Sequence, residues 1–293
     1  MMSLATISAA SARIRRSQGK RTVLWLLLPA LLLLSLCFIY PLVSMLARSI
    51  FDPHLTWRHY ERLFSDFTYV EVIYITFEIA AMVTVACLMF AYPLAYFLSQ
   101  IKPRLAGVLM ILVIVPYFTS VLVRTYAWMV LLGTDGIVNQ VLLSTGLIDK
   151  PLTLMYNRFS VLIGMTYILL PYMVLALYSV MRGIDMGLLR AAESLGSTRT
   201  LAFWRIFFPL SMPGVAAGSL LVFILSLGFF ITPALMGNQG DSMISMVIES
   251  QVETYFDWGF ASALSTVLLI CTLMLFAIYQ RTVGLQRLFE SKL

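Results

Sequence analysis

Two stretches of the chain, residues 22–46 and 261–279, carry no charged side chain. As helices rising about 1.5 Å per residue, both cover a hydrocarbon core ~30 Å thick. In lipid every backbone N–H and C=O must be satisfied within the protein, which leaves only helices and closed barrels. Stretches this long suit helices rather than barrel strands of about 10 residues. The rest of the 293-residue chain agrees, with 60% hydrophobic and only 12% charged residues, against roughly 25% charged in soluble domains. A soluble enzyme, a disordered chain and a disulfide-rich secreted module are excluded. The expected fold class is all-α: a polytopic membrane helical bundle.

Six transmembrane helices are expected, at 22–46, 72–98, 105–131, 159–181, 212–236 and 259–280. They make residues 22–293 one transmembrane domain behind a basic tail, 1–21. Counting loops from a cytoplasmic N-terminus, the inner side holds 14 Lys and Arg and the outer side 5, which places both termini in the cytoplasm. The run after Arg13, Arg15, Arg16, Lys20 and Arg21 is too long for a secretory h-region of about 7–15 residues, so it reads as a retained first span. Trp25, Trp128 and Trp258 fall near span ends, as interfacial anchors do. Cys37, Cys87 and Cys271 sit in apolar stretches and read as packing residues. His54 and His59 share one polar loop without companion ligands at metal spacing and read as surface residues. No G-x-x-x-x-G-K-[ST] sequence occurs, so ATP is not bound here by that route.

The loop 182–211 between the fourth and fifth spans carries the most information. Asp185 is placed to cap a short helix over 186–195, and Gly196 can take the left-handed conformation that ends one. A second amphipathic helix is expected over 198–208, with Pro209 and Pro213 punctuating the fifth span. Such a helix–Gly–helix element either projects as a lever or lies on the headgroups. Phe203, Trp204, Phe207 and Phe208 give it an apolar face, for a partner or for the bundle itself. Ala191, Ala192, Gly196, Ile206 and Pro209 match a known spacing: Glu-Ala-Ala, three residues, Gly, nine residues, Ile, one residue, Leu-Pro. The segment resembles the cytoplasmic coupling loop of permease subunits of binding-protein-dependent ABC importers. Residues 122–139 and 220–237 also look like the spermidine/putrescine (polyamine) type.

The resemblance implies a type I importer permease in a bacterial inner membrane, forming the pathway for a small cationic, polyamine-like solute. It implies no catalysis and no cofactor on this chain, with ATP and Mg held by a separate cytoplasmic ABC ATPase dimer. A second homologous permease subunit, a periplasmic solute-binding protein and membrane lipid are the other implied partners, and nucleic acid is not one. The ATPase-coupling residues would be Arg190, Ala191, Ala192, Glu193, Gly196, Ile206 and Pro209. Arg190 stands where the family has Glu, and Phe208 where it has Leu. Glu193, on nearly the same helix face as Arg190, is a candidate for the displaced acid.

Two ionisable residues fall inside spans, Glu78 and Arg124. Counted from the outer edge their depths match, at about 9 and 10 Å. That match suggests an ion pair first, then a cavity position, then direct solute contact. The loop 237–258 has Asp241, Glu249, Glu253 and Asp257 and no Lys or Arg. It is either a solvated acidic face, a docking surface or a weak cation funnel. An ion-coupled secondary transporter is the alternative function; such proteins generally need intramembrane carboxylates or broken helices for coupling ions, and Glu78 is the sole intramembrane acid.

Overall fold

The computed structural model describes residues 27–51 and 54–281. The basic tail 1–21, Trp25, the start of the first span, and Arg287 and Lys292 lie outside these. The twelve helices named here are α1 (Leu27–Arg48), α2 (Arg58–Ser65), α3 (Phe67–Gln100), α4 (Pro103–Phe118), α5 (Val121–Leu132), α6 (Ile137–Ser144), α7 (Arg158–Met181), α8 (Gly187–Ser194), α9 (Arg199–Leu227), α10 (Ile231–Met236), α11 (Ile244–Glu253) and α12 (Trp258–Tyr279). Six stretches are long and apolar enough to cross a membrane: α1, α3, Val121–Ser144, α7, α9 and α12. The all-α membrane bundle expected from the sequence is present.

The core is a three-helix unit of α3, α7 and α9. Ile79, Val83, Cys87 and Ala91 of α3 meet Met165, Met173 and Leu177 of α7 with no exposed surface. Small residues let the backbones approach, as membrane packing requires. A Cβ on Gly218 of α9 would lie 2.7 Å from the Met173 sulfur, and one on Gly214 would lie 3.0 Å from Val180 Cβ. Cys87 is a packing residue, its thiol donating to the Thr166 carbonyl at 3.6 Å. Helix α1 buries nothing in its apolar stretch and rests on the outside of the bundle against α12.

Helix starts follow local chemistry. Asp66 accepts from the Thr68 amide at 3.0 Å to cap α3. Asn157 and Ser160 cap each other's backbone at the start of α7. Span four and span six run as expected. Two spans do not.

The third expected span, 105–131, is broken. Helix α4 tightens into a 3₁₀ turn at Val115–Phe118 around Pro116, and extended backbone at Thr119 (ψ 153°) and Ser120 (ψ 140°) precedes α5. Pro116 lacks an N–H and its ring crowds the carbonyl four residues back, which disfavours the α-helix at this point. The fifth span, expected at 212–236, is shifted. Helix α9 runs unbroken from Arg199 past Pro209 and Pro213 and stops at Leu227, and α10 is a separate short helix. A π turn at Phe203–Phe207 makes this possible: the Phe208 N–H bonds to the Phe203 carbonyl, five residues back. That extra residue per turn accommodates the missing Pro209 donor, while Pro213 is carried inside the α-helix itself, so neither proline punctuates the span.

Candidate coupling segment and exposed helix breaks

Helix α8 is short and defined at both ends. The Asp185 carboxylate accepts from the Gly187 N–H at 2.8 Å, so the expected capping residue acts at the expected place. At the other end the Ser197 N–H bonds to the Ala192 carbonyl and the Gly196 N–H to the Glu193 carbonyl, both at 3.0 Å. These are the two bonds of a Schellman stop. Gly196 has φ +91° and open space around its missing Cβ, so backbone conformation, not crowding, selects glycine there. Gly196→Leu is therefore expected to cost about 1 kcal/mol locally, and Gly196→Asn less, because Asn tolerates the left-handed region. Thermal unfolding of the two variants checks the order. Equal stability of the leucine variant and the parent would remove the conformational account.

Two faces of the segment differ sharply. Leu189 (6% exposed), Ala202 and Phe207 turn inward, while Leu188 (48%) and Leu195 (89%) turn outward. Ala191 lies between these two leucines on the exposed side, with Arg190 and Glu193 also exposed. Ala192 and Ile206 are half-buried and Pro209 is exposed. Leu195 was not singled out from the sequence, although its spacing from Leu188 and Ala191 was there to be read.

The segment is tied to the end of α3 on both sides. Arg182 donates through one Nη to the carbonyls of Ser99 (3.0 Å) and Ile101 (3.2 Å). The Tyr92 and Ser211 hydroxyls share a hydrogen bond at 2.9 Å. Tyr96 meets Phe203 and Phe207 edge-on at 5.3 and 4.9 Å. Phe203 and Phe207 thus pack under the chain's own bundle, and Trp204 (57% exposed) faces out.

At the Arg158 end of α7, a charge cluster joins three elements. Arg158 bonds to Glu78 of α3 at 2.9 Å and to Asp241, in the turn after α10, at 3.1 Å. The Asp241 side chain is only 4% exposed. Glu78 therefore pairs with Arg158, and the pair expected between Glu78 and Arg124 does not form. The depth argument failed at the edge it counted from: the apolar stretch runs on from Val121 to Ser144, so residue 131 does not mark its outer end and Arg124 lies deeper than the count gave. Its guanidinium lies 6.0 Å from the Tyr117 ring centre, and Tyr117 meets Tyr172 edge-on at 5.5 Å. Tyr172 is 14 residues beyond Arg158 on α7, about 21 Å away along the axis. Trp128, half-buried, meets Tyr167 of α7 edge-on at 5.5 Å.

The acidic loop 237–258 is also less solvated than expected. Asp241 is buried beside Arg158, while Asp257 caps α12 through the Phe260 N–H (3.0 Å) and pairs with Arg62 at 3.2 Å.

The backbone breaks twice within the expected third and fifth spans, at Thr119–Ser120 and at Gly228–Phe230. Helices α5 and α10, which follow them, pack on each other, with the Thr125 and Thr232 hydroxyls 3.3 Å apart. Phe118 (82% exposed), Thr119, Ser120 and Gly228 are exposed among the described residues. Irregular backbone cannot face lipid at membrane depth. It is tolerated only against protein or along a water-filled cavity. The face that carries the exposed break at Thr119–Ser120 is therefore turned toward a partner chain or an aqueous pathway. Pro116 and Gly228 were the available sequence signals.

Comparison with known proteins agrees with the resemblance read from 190–209. The family described as binding-protein-dependent transport system inner membrane component matches residues 88–293. The spermidine/putrescine transport system permease protein PotB of Escherichia coli is 37% identical over 270 residues, 92% of this chain and 95% of that protein. PotB of Haemophilus influenzae is 33% identical over 259 residues, 88% of this chain and 89% of that one. Among solved structures, a bacterial alginate ABC transporter in complex with an alginate pentasaccharide-bound periplasmic protein superposes with a TM-score of 0.75 over 93% of this chain and 97% of that one. At 16% identity this likeness shows the fold alone. With six apolar helices and this match, the chain is a multi-pass inner-membrane protein and belongs to the binding-protein-dependent transport system inner membrane component family.

Proposed function

We propose that this chain is one permease subunit of an ABC importer and forms part of the pathway for a small cationic, polyamine-like solute. The carrying observation is the Leu188–Ala191–Leu195 strip, exposed among the described residues, in a segment whose flanks are tied to the end of α3. A separate ATPase dimer docks there, on 185–209, and holds the ATP and Mg that this chain does not bind. Arg190 pairs with an acid of that ATPase, and Glu193 supplies the acidic contact that the family places at position 190. A second homologous permease covers the face with the helix breaks, and a periplasmic binding protein delivers solute at the Arg158 end. Both termini are cytoplasmic, in keeping with the excess of Lys and Arg on that side. The 92% coverage by a spermidine/putrescine permease supports the solute class.

The test is co-expression with the neighbouring ATPase, permease and binding-protein genes, followed by uptake of radiolabelled spermidine and putrescine into proteoliposomes. The expected result is co-purification of the ATPase and ATP-dependent uptake that needs the binding protein. Absence of ATPase association overturns the importer reading. Association without polyamine uptake overturns the solute class alone. Uptake that ignores ATP but collapses with an ionophore would instead establish ion-coupled transport.

A further inference from the structure

Arg124 is 7% exposed, and its Nε has no hydrogen-bond partner among the described residues. Among these residues no carboxylate lies within ion-pair distance of it, and Glu78 is engaged by Arg158. A guanidinium does not lose its proton in a protein. The only compensation in view is the face of Tyr117, 6.0 Å from the guanidinium carbon, backed by Tyr172. A ring quadrupole offsets such a charge only weakly. The chain thus keeps a net positive charge deep in the bundle, on the first turn of α5, directly after the exposed break at Thr119–Ser120.

Ionisable residues at this depth are expensive and mark a pathway or a partner. A carboxylate on the solute would satisfy Arg124, but the similarity to permeases named for spermidine and putrescine, which are cations, speaks against one. What an uncompensated charge does without a ligand is repel. We infer that Arg124 is an electrostatic barrier that stops small inorganic cations and protons from leaking along the permease pathway between transport cycles. The inference rests on the reading that this face lines that pathway. A positive arginine or helix end excludes cations and protons from other membrane pores in the same way. By Coulomb's law, a monovalent cation about 6 Å from the guanidinium, at an effective dielectric of about 20, is disfavoured roughly a hundredfold. Burial helps, because the field then crosses protein instead of salt water and is less screened. Passage of a cationic solute then requires Arg124, on the first turn of α5, to be moved aside during the transport cycle.

The test uses the full complex of permease pair and ATPase in liposomes holding a potassium gradient, without ATP or binding protein. Potential-sensitive and pH-sensitive dyes report the leak. Arg124→Met is expected to leak at least tenfold faster than the parent, and Arg124→Lys to stay tight because it keeps the charge. Should the methionine variant fail to assemble, the polar and similar-sized Arg124→Gln is read in the same assay. Neutral variants as tight as the parent overturn the barrier. So does loss of the second permease subunit on neutralisation, which would assign Arg124 to a partner carboxylate. ATP-driven spermidine uptake by the unaltered complex is measured in parallel. No uptake, with leaky neutral variants, strikes the solute reading and leaves the barrier standing. Normal uptake with tight variants strikes the barrier alone.

Discussion

Arg158→Met is expected to lower the unfolding free energy by about 3 kcal/mol, among the largest stability effects of any single change in this chain. The reason is Asp241. Its side chain is 4% exposed, and it bonds to the Arg158 Nε at 3.1 Å and to the Asn238 N–H at 3.3 Å. Removing the guanidinium leaves a carboxylate in a site water barely reaches, and it takes away the tie between α3, α7 and the turn after α10. Glu78, at 27% exposed, loses less because solvent remains available to it. The order of effects should thus be Arg158→Met above Asp241→Asn above Glu78→Gln. Adding Asp241→Asn to Arg158→Met should recover part of the loss, since no buried charge is then left unpaired. Thermal or denaturant unfolding in detergent reads all four. Strict additivity of the double variant would sink the account, because it would mean that the two side chains do not sense each other.

Residues of the same charge cluster show what the sequence could and could not carry. Arg158 was visible only as an outer-loop cation and Asp241 only as one of four loop acids. Their meeting depends on α7 and α10 packing side by side, which no periodicity encodes. The six spans were legible because a hydrocarbon core imposes length and polarity on every crossing segment, and 159–181 and 259–280 came out nearly unchanged. Depth was not legible. Counting residues from a span edge needs the edge itself, and the apolar stretch from Val121 runs on to Ser144, so the edge expected at 131 misplaced Arg124. The opposite error occurred at Pro209 and Pro213. There the local rule says stop, but a π turn just before Pro209 removes the conflict at that residue, and the helix carries Pro213 as an interior proline. The coupling segment was the most legible part, because Asp185 and Gly196 act on backbone within two or three residues of themselves. Local chemistry of that kind survives whatever the rest of the fold does.

Leu195→Asp is expected to reduce ATP-driven uptake at least tenfold while leaving the melting temperature unchanged. At 89% exposed, Leu195 touches almost nothing in its own chain. Replacing it should therefore move folding stability by no more than about 0.5 kcal/mol. The backbone around it is fixed by the Schellman bonds to Ala192 and Glu193, so the side chain is presented in a defined direction. A large apolar group held rigidly outward next to Leu188 and Ala191 gains its stabilisation only when a partner covers it. Burying a leucine there contributes roughly 1.5–3 kcal/mol, and an aspartate in its place must also be desolvated. Together these correspond to a loss in ATPase affinity of at least tenfold, read directly as weaker co-purification. Leu189→Asp is the contrasting control. That residue is 6% exposed against the bundle, so the same change there should lower the melting temperature. Wild-type uptake by Leu195→Asp, at equal expression, would remove the strip as the docking surface. Reduced uptake with a lowered melting temperature would mean that Leu195 is structural, against the geometry seen here.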